Sequence, residues 1–182
     1  TGWYRKRFIW SKQEKELVFL RFDGIYMDSK VYVNGKMVRE WKYGYSAFET
    51  EITENLVNGE NEILVSADFQ APNSRWYSGT GIYRPVWLYI FPTEHILRDE
   101  IRVKTLDYQK KKIAVDVKTT GVGMLCTEIF DGEKLIVSKT IQSEDTVENA
   151  ICDVKEKTVE YHTEMVLEQT ELWSPKYPKL YT

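Results

Sequence analysis

The residues with the clearest chemical potential are an arginine and two aromatic side chains in succession, Arg75, Trp76 and Tyr77. They belong to residues 73–81, which mix Asn, Ser, Thr and two Gly, the composition of a structured loop with positive-φ positions. A guanidinium group binds oxygen atoms, and aromatic rings stack on the C–H face of a flat, hydroxyl-rich ligand. The loop therefore predicts a binding site for such a ligand.

A strand is predicted directly after this loop. Val86, Leu88 and Ile90 alternate with Trp87 and Tyr89, which is the period of two expected of a β-strand. A strand in this place would fix one end of the loop. Aromatic residues are also concentrated in this half of the chain, because five of the six Trp and eight of the twelve Tyr precede residue 91. A sandwich core alone does not need so many amphipathic rings, so we expect some of them to face a ligand or a partner.

The segments before the loop are short, alternating and separated by turns. The Asn34-Gly35 pair is the strongest of the turn signals, because this dipeptide suits the two positive-φ positions of a tight hairpin. The pattern predicts an all-β sandwich of the jelly-roll type over residues 1–93. The predicted strands are 3–8, 17–22, 29–33, 36–41 and 62–67.

A second all-β domain is predicted over residues 94–182. Its turns recur every eight to twelve residues, which is typical of an immunoglobulin-like sandwich. The fold class is therefore all-β, with two β-sandwich domains in tandem. The predicted strands of this half are 100–106, 112–119, 124–130, 134–139, 146–154 and 160–167.

Composition excludes several functional classes. The 182 residues carry a net charge of −3 and no basic cluster beyond residues 110–112, which argues against binding to nucleic acid or to an anionic membrane. No window has the length of a transmembrane span, and no signal peptide opens the sequence. The histidines, His95 and His162, lie in different predicted strands and are expected to cap or pack, so neither a metal site nor a cofactor is predicted. Cys126 and Cys152 are interpreted as buried thiols, with a disulfide left open, and the compartment is not determined.

Two motifs resemble glycoside hydrolase family 2, the family of the large β-galactosidases. The run R-W-Y-S-G-T-G-I-Y-R-P-V-W-L, residues 75–88, is similar to the end of its sugar-binding jelly-roll domain, in the galactosidase-like version. The run L-W-S-P-K-Y-P-K-L-Y, residues 172–181, resembles the end of its second domain, where Trp173 is expected to be a buried plug. Together they imply an excised piece of a longer hydrolase, truncated at its beginning and lacking its last strand.

The resemblance assigns roles to the loop residues. In the family this loop reaches the rim of the active site, so Arg75 is expected to hydrogen-bond a galactose hydroxyl. Asn73 is expected to orient the loop and Tyr77 to form the rim, while Trp76 is expected either to contact the substrate or to pack between domains. Some relatives place at the position of Arg75 an Asp that touches sugar and sodium, and this departure argues against a sodium site here.

Catalysis itself is not expected of these residues. The family cleaves β-glycosidic bonds with retention through two Glu of a (β/α)₈ barrel, and no barrel pattern occurs in this sequence. The pair Asn61-Glu62 resembles the acid/base dipeptide, but it lies between a Gly turn and a strand, which explains it structurally. The resemblance therefore implies no catalytic residue here, and implies as partners a β-galactoside and a barrel of the same parent chain.

Three functions are compatible with these patterns. The first is a non-catalytic portion of a retaining β-galactosidase-type enzyme, with β-glucuronidase or β-mannosidase parents as alternatives. The second is a free-standing carbohydrate-binding module, favoured by the aromatic excess. The third is a structural tandem sandwich without a ligand, which leaves the succession of Arg75, Trp76 and Tyr77 unexplained. The oligomeric state is not determined by the sequence.

Overall fold

The computed structural model describes residues 1–69, 79–143, 147–151 and 154–182. These residues form fifteen β-strands and one short 3₁₀ helix, and every strand pair in them is antiparallel. The all-β prediction is therefore confirmed. Within the described ranges no helix has the length and apolar character needed to cross a membrane. The chain divides into two compact units, Thr1–Thr93 and Glu94–Thr182. Their assignment as a jelly roll and an immunoglobulin-like domain stays a prediction.

The first unit packs two antiparallel sheets against each other. One has the strand order β1-β7-β4-β5, the other has the order β6-β2-β9, and β3 pairs with β8 alone. The strands are β1 Gly2–Trp10, β2 Glu16–Phe22, β3 Ile25–Tyr26, β4 Ser29–Val33, β5 Lys36–Trp41, β6 Phe48–Glu51, β7 Gly59–Ala67, β8 Gly81–Ile82 and β9 Val86–Pro92, with the 3₁₀ helix at Thr53–Asn55.

The core of this unit follows from the alternation of apolar residues along β2. Val18, Leu20 and Phe22 all point to one face of the strand and are buried. Phe22 lies opposite Phe48 in β6, and their rings stack with centroids 5.1 Å apart. The facing sheet contributes further buried residues, including Val31 and Val65. One face of β2 is therefore the centre of the hydrophobic core.

A network of two asparagines fixes the hairpin between β4 and β5. Asn34 and Gly35 both have positive φ, +49° and +82°, as the predicted tight turn requires. The Asn34 amide donates to Asn61 Oδ1 at 2.7 Å, and the buried Asn61 amide donates to the Val57 carbonyl at 2.7 Å. Glu62 accepts from Arg7 Nε at 2.9 Å. The Asn61-Glu62 pair therefore has a structural role, as expected.

The second unit is built in the same way. Its sheets have the orders β10-β11-β15-β14 and β12-β13. Ile113, Val115 and Val117 alternate along β11 and are buried against Val159 and Tyr161 of β15. The strands are β10 Ile96–Asp107, β11 Lys112–Thr119, β12 Gly123–Asp131, β13 Lys134–Ser143, β14 Val147–Ile151 and β15 Val154–Val166.

Three expectations about single residues of this unit are wrong. Trp173 is 57% exposed and is not a buried plug, because no neighbour covers the indole among the described residues of this unit. Cys126 is a free thiol, as expected, but it is exposed and not buried, because its strand faces solvent on that side; Cys152 lies outside the described residues. His162 neither caps nor packs, since its exposed ring lies 2.6 Å from Asp116 Oδ1.

Burial in the first unit predicts a large difference between two isoleucines. Ile52 is fully buried at 0% exposure, whereas Ile9 in β1 is 75% exposed. Ile52→Ala should lower the free energy of unfolding by about 2–5 kcal/mol, because it removes packed methyl groups and leaves a cavity. Ile9→Ala, the matched control, should change it by less than about 0.5 kcal/mol. Urea denaturation of both variants measures the difference, and equal losses would contradict this core.

A charged face in the second unit predicts a dependence of stability on pH. Asp116 accepts a hydrogen bond from Lys104 Nζ at 2.7 Å and lies beside His162. Both contacts hold the pKa of the Asp116 carboxyl below its ordinary value of 3.8, and the hydrogen bond from Lys104 has the larger effect. The carboxylate therefore stabilises the folded state above about pH 4, and this stabilisation is lost as the pH falls through the lowered pKa.

Removal of the charge should flatten this response. Between about pH 5 and pH 2, the free energy of unfolding should fall less steeply for Asp116→Asn than for the unaltered protein, and the two should converge at the acid end. Urea unfolding at several pH values measures both slopes. Identical slopes would show that the contacts of Asp116 do not contribute to stability.

Candidate functional site

The four predicted ligand-binding residues, Asn73, Arg75, Trp76 and Tyr77, all lie outside the described residues. Their assignment stays a prediction, and what the structure provides is the frame from which this segment leaves and to which it returns. That frame begins at the end of β7, with Asp68 and Phe69, and resumes at Gly79 and Thr80.

Both sides of the frame attach to the same two residues, Tyr26 and Met27. On the entry side, the Asp68 N–H donates to the Met27 carbonyl at 2.8 Å, and the Phe69 ring lies 6.3 Å from the ring of Tyr26. On the return side, the Thr80 hydroxyl donates to the Tyr26 carbonyl at 3.1 Å, and Gly81 pairs with Tyr26 in the β3–β8 ladder. The ends of the predicted loop are therefore both held at Tyr26 and Met27, by hydrogen bonds to their main-chain groups and by one ring contact.

Gly81 is required at the return side. Its φ of +120° is a conformation that residues with a side chain rarely adopt, and an added Cβ would overlap the Tyr4 hydroxyl. Tyr4 lies in β1, so the glycine allows β1 and the β3–β8 ladder to approach closely. The second of the two glycines in the sequence motif therefore has a steric explanation.

Sequence reasoning missed a cluster of tyrosines beside this frame. Tyr45 packs edge-on against Tyr26 with ring centroids 5.1 Å apart, and Tyr43 packs against Tyr45 at 5.8 Å. Between them, the Gly44 carbonyl accepts a hydrogen bond from the Tyr83 hydroxyl at 2.8 Å. The guanidinium of Arg84 lies 5.2 Å above the Tyr83 ring. The excess of aromatic residues in this half of the sequence was the signal that could have pointed to them.

The strand that follows the loop is fixed by a polar clamp. The Trp87 indole N–H donates to Asp23 Oδ2 at 2.8 Å, and Arg21 Nε donates to Asp23 Oδ1 at 2.9 Å. The Asp23 N–H donates to the Pro85 carbonyl at 3.1 Å, continuing the β2–β9 pairing. Trp87 is thus a half-exposed structural residue anchored through its nitrogen.

An open groove between the sheets of the first unit offers a different kind of surface. It has a volume of about 440 Å³ and an almost entirely apolar lining. Arg5 and Lys6 also border the groove, but its exposed surface is mostly apolar and so does not favour a hydroxyl-rich ligand such as a sugar. Nor do the described residues bring three His, Cys, Asp or Glu side chains together in a way that could hold a metal ion. The residues that contribute to the groove include Tyr4, Phe8, Leu20, Ile63, Val86 and Leu88.

The fold is all-β in both units, and comparison with known proteins identifies the family. The family model described as "Glycosyl hydrolases family 2, sugar binding domain" matches residues 1–92. The chain belongs to glycosyl hydrolase family 2, and its first half is the sugar-binding domain of that family.

Individual relatives are similar over the whole chain. The β-galactosidase BoGH2A of Bacteroides ovatus is 33% identical over 100% of this chain, and a putative β-glucuronidase of Formosa agariphila is 32% identical over 99% of it. A crystal structure of a family 2 member from Bacteroides cellulosilyticus superposes with a TM-score of 0.76 at 30% identity and covers 98% of this chain. The chain spans 22%, 17% and 25% of the lengths of these three proteins.

The geometry at Gly81 predicts an unusual cost for a single methyl group. Gly81→Ala should lower the free energy of unfolding by more than the roughly 1–3 kcal/mol expected of an unfavourable φ, because the methyl group also overlaps the Tyr4 hydroxyl. Gly59 is a matched control, since its φ is +99° but no atom lies near its missing Cβ.

Chemical denaturation of three variants separates the two contributions. Gly59→Ala should show the cost of the φ angle alone, and Tyr4→Phe should recover part of the loss caused by Gly81→Ala. If Gly81→Ala costs no more than Gly59→Ala, the close approach to Tyr4 does not constrain this position.

Proposed function

We propose that this chain is a non-catalytic N-terminal portion of a retaining β-glycosidase. We infer that this parent enzyme is of the β-galactosidase type, which hydrolyses terminal β-galactosides. The observation that carries the proposal is the motif at residues 75–84, R-W-Y-S-G-T-G-I-Y-R, which falls inside the region matched by the sugar-binding domain and has the galactosidase-like form. The β-galactosidase of Bacteroides ovatus, similar over the whole chain, supports the same parent activity.

The chain would contribute to catalysis by shaping the pocket. Retaining glycosidases use two carboxyl groups about 5–5.5 Å apart as acid/base and nucleophile, and in this proposal both belong to a (β/α)₈ barrel of the same full-length protein. The loop bearing Arg75 would complete the rim beside that barrel, with Asn73 orienting it and Trp76 and Tyr77 lining it. The close attachment of the loop ends at Tyr26 and Met27 supports this role, because a binding loop needs a rigid base.

A β-glucuronidase parent is the second candidate. It is favoured by the putative β-glucuronidase of Formosa agariphila, which is nearly as similar to this chain as the β-galactosidase is. The two substrates differ in the group on C5, a hydroxymethyl group in the galactoside and a carboxylate in the glucuronide, and in the configuration of the hydroxyl at C4. An assay of the full-length protein on nitrophenyl β-galactoside, β-glucuronide and β-mannoside decides between them. Turnover of the glucuronide alone would replace the galactosidase assignment, and turnover of none would overturn both.

The role of Arg75 can be tested in the full-length enzyme. Arg75→Ala should lower kcat/KM on the preferred glycoside roughly 5- to 150-fold, because a charged hydrogen bond to the sugar is lost. This factor corresponds to about 1–3 kcal/mol of lost transition-state stabilisation. The exposed Arg102 of the second unit is the control, and Arg102→Ala should leave kcat/KM unchanged. An Arg75→Ala enzyme that folds normally and retains full kcat/KM would remove Arg75 from the site.

A further inference from the structure

The tyrosine pair beside the loop frame has the shape of a binding corner. Tyr43 is 61% exposed and Tyr45 is 46% exposed, although both are large aromatic side chains. Their ring planes meet at 67° with centroids 5.8 Å apart, an edge-to-face contact that leaves much of both rings exposed. One ring can stack on the C–H face of a pyranose while the other contacts its edge.

This corner is held in place before any ligand arrives. The segment between the two rings is fixed at Gly44, whose carbonyl accepts from the Tyr83 hydroxyl at 2.8 Å. Gly44 also lies so close to Tyr26 that an added Cβ would overlap the ring, and Tyr45 packs edge-on against that ring at 5.1 Å. A site whose aromatic rings are already ordered loses little conformational entropy on binding.

The corner also retains hydrogen-bonding capacity. In the part of the chain that the structure describes, nothing forms a hydrogen bond with the Tyr43 hydroxyl. A phenol at the edge of an exposed ring can donate to and accept from sugar hydroxyls. The combination of exposed aromatic rings and a Tyr43 hydroxyl with no hydrogen-bond partner among the described residues matches a carbohydrate better than an apolar peptide.

The position of the corner links it to the predicted binding loop. Tyr26 contacts Tyr45 on one side, and on the other it holds Phe69 and Thr80, the residues that flank the loop. We propose that Tyr43 and Tyr45 form a sugar-stacking site that binds a pyranose ring of a β-linked oligosaccharide beside the loop. This inference rests on the proposed function and extends it to residues that the sequence motif does not contain.

Oligosaccharide binding by the chain itself tests the site. The probe is β-1,4-linked galactotetraose, titrated into the 182-residue protein while ¹H–¹³C spectra of its aromatic rings are recorded. We expect saturable shifts of the Tyr43 and Tyr45 resonances. Tyr43→Ala and Tyr45→Ala should each weaken binding by about fivefold or more, which is the scale of one lost ring contact. Tyr43→Phe should retain most of the affinity, because the stacking face is kept.

Tyr108 provides the matched control. It is also 61% exposed but belongs to the second unit, so Tyr108→Ala should leave the affinity unchanged. Thermal unfolding of the variants checks that each is folded, and should Tyr43→Ala be unfolded, Tyr43→Leu takes its place, because it also removes the aromatic face and should lose as much affinity. The proposal is overturned if no saturable shift occurs, if the two rings do not respond, or if Tyr108→Ala loses as much affinity.

Two further outcomes keep this proposal separate from the parent activity. In the full-length enzyme, if the Tyr43 ring is buried by protein so that galactotetraose cannot reach it, the corner is a protein interface and the sugar site is wrong, whatever the glycoside assay shows. Conversely, an enzyme inactive on all three nitrophenyl glycosides overturns the proposed activity, while ring shifts on adding galactotetraose would still support the stacking site.

Discussion

The position of Phe22 between two strands is the constraint on which the site of the first unit depends. Phe22 pairs with Phe48 of β6 on one side and with Val86 of β9 on the other, and its side chain is almost completely buried. The strand β6 begins three residues after Tyr45, and β9 begins three residues after Tyr83. Burying one aromatic ring therefore sets the positions of two chain segments that lie far apart in sequence.

Hydrogen bonds fix the connecting segments that the burial of Phe22 brings together. Hydrophobic contacts are non-directional, so they hold the sheets together without fixing how the connecting segments leave them. Here the directions come from hydrogen bonds to backbone atoms: Asp68 to Met27, Thr80 to Tyr26 and Tyr83 to Gly44. Each joins residues at least 39 positions apart in the sequence. The site frame is thus a product of long-range contacts.

The difference between patterns within a short segment and contacts between distant residues explains which features could be predicted from the sequence. Alternation of apolar residues and a local turn signal are properties of short segments, so β4, β5 and β11 were predicted with the observed bounds, and the Asn34-Gly35 turn was correct. Burial of single residues depends on neighbours distant in sequence, which is why Trp173 and Cys126 were assigned wrongly. Tyr43 and Tyr45 were not singled out because nothing within their own segment shows that Tyr83 and Tyr26 hold them.

The attachment of Asp68 and Thr80 to Met27 and Tyr26 has a consequence for the segment of the sequence between them. The ends are joined through main-chain groups of the scaffold, and the entropic cost of closing a longer connection between fixed points rises only slowly with its length. Insertions, deletions and side-chain exchanges between residues 70 and 78 can therefore accumulate without loosening the sheets. Under the proposed function these positions carry the sugar-contacting residues, so exchanging this segment for that of another family member would change recognition while the two sheets stay intact.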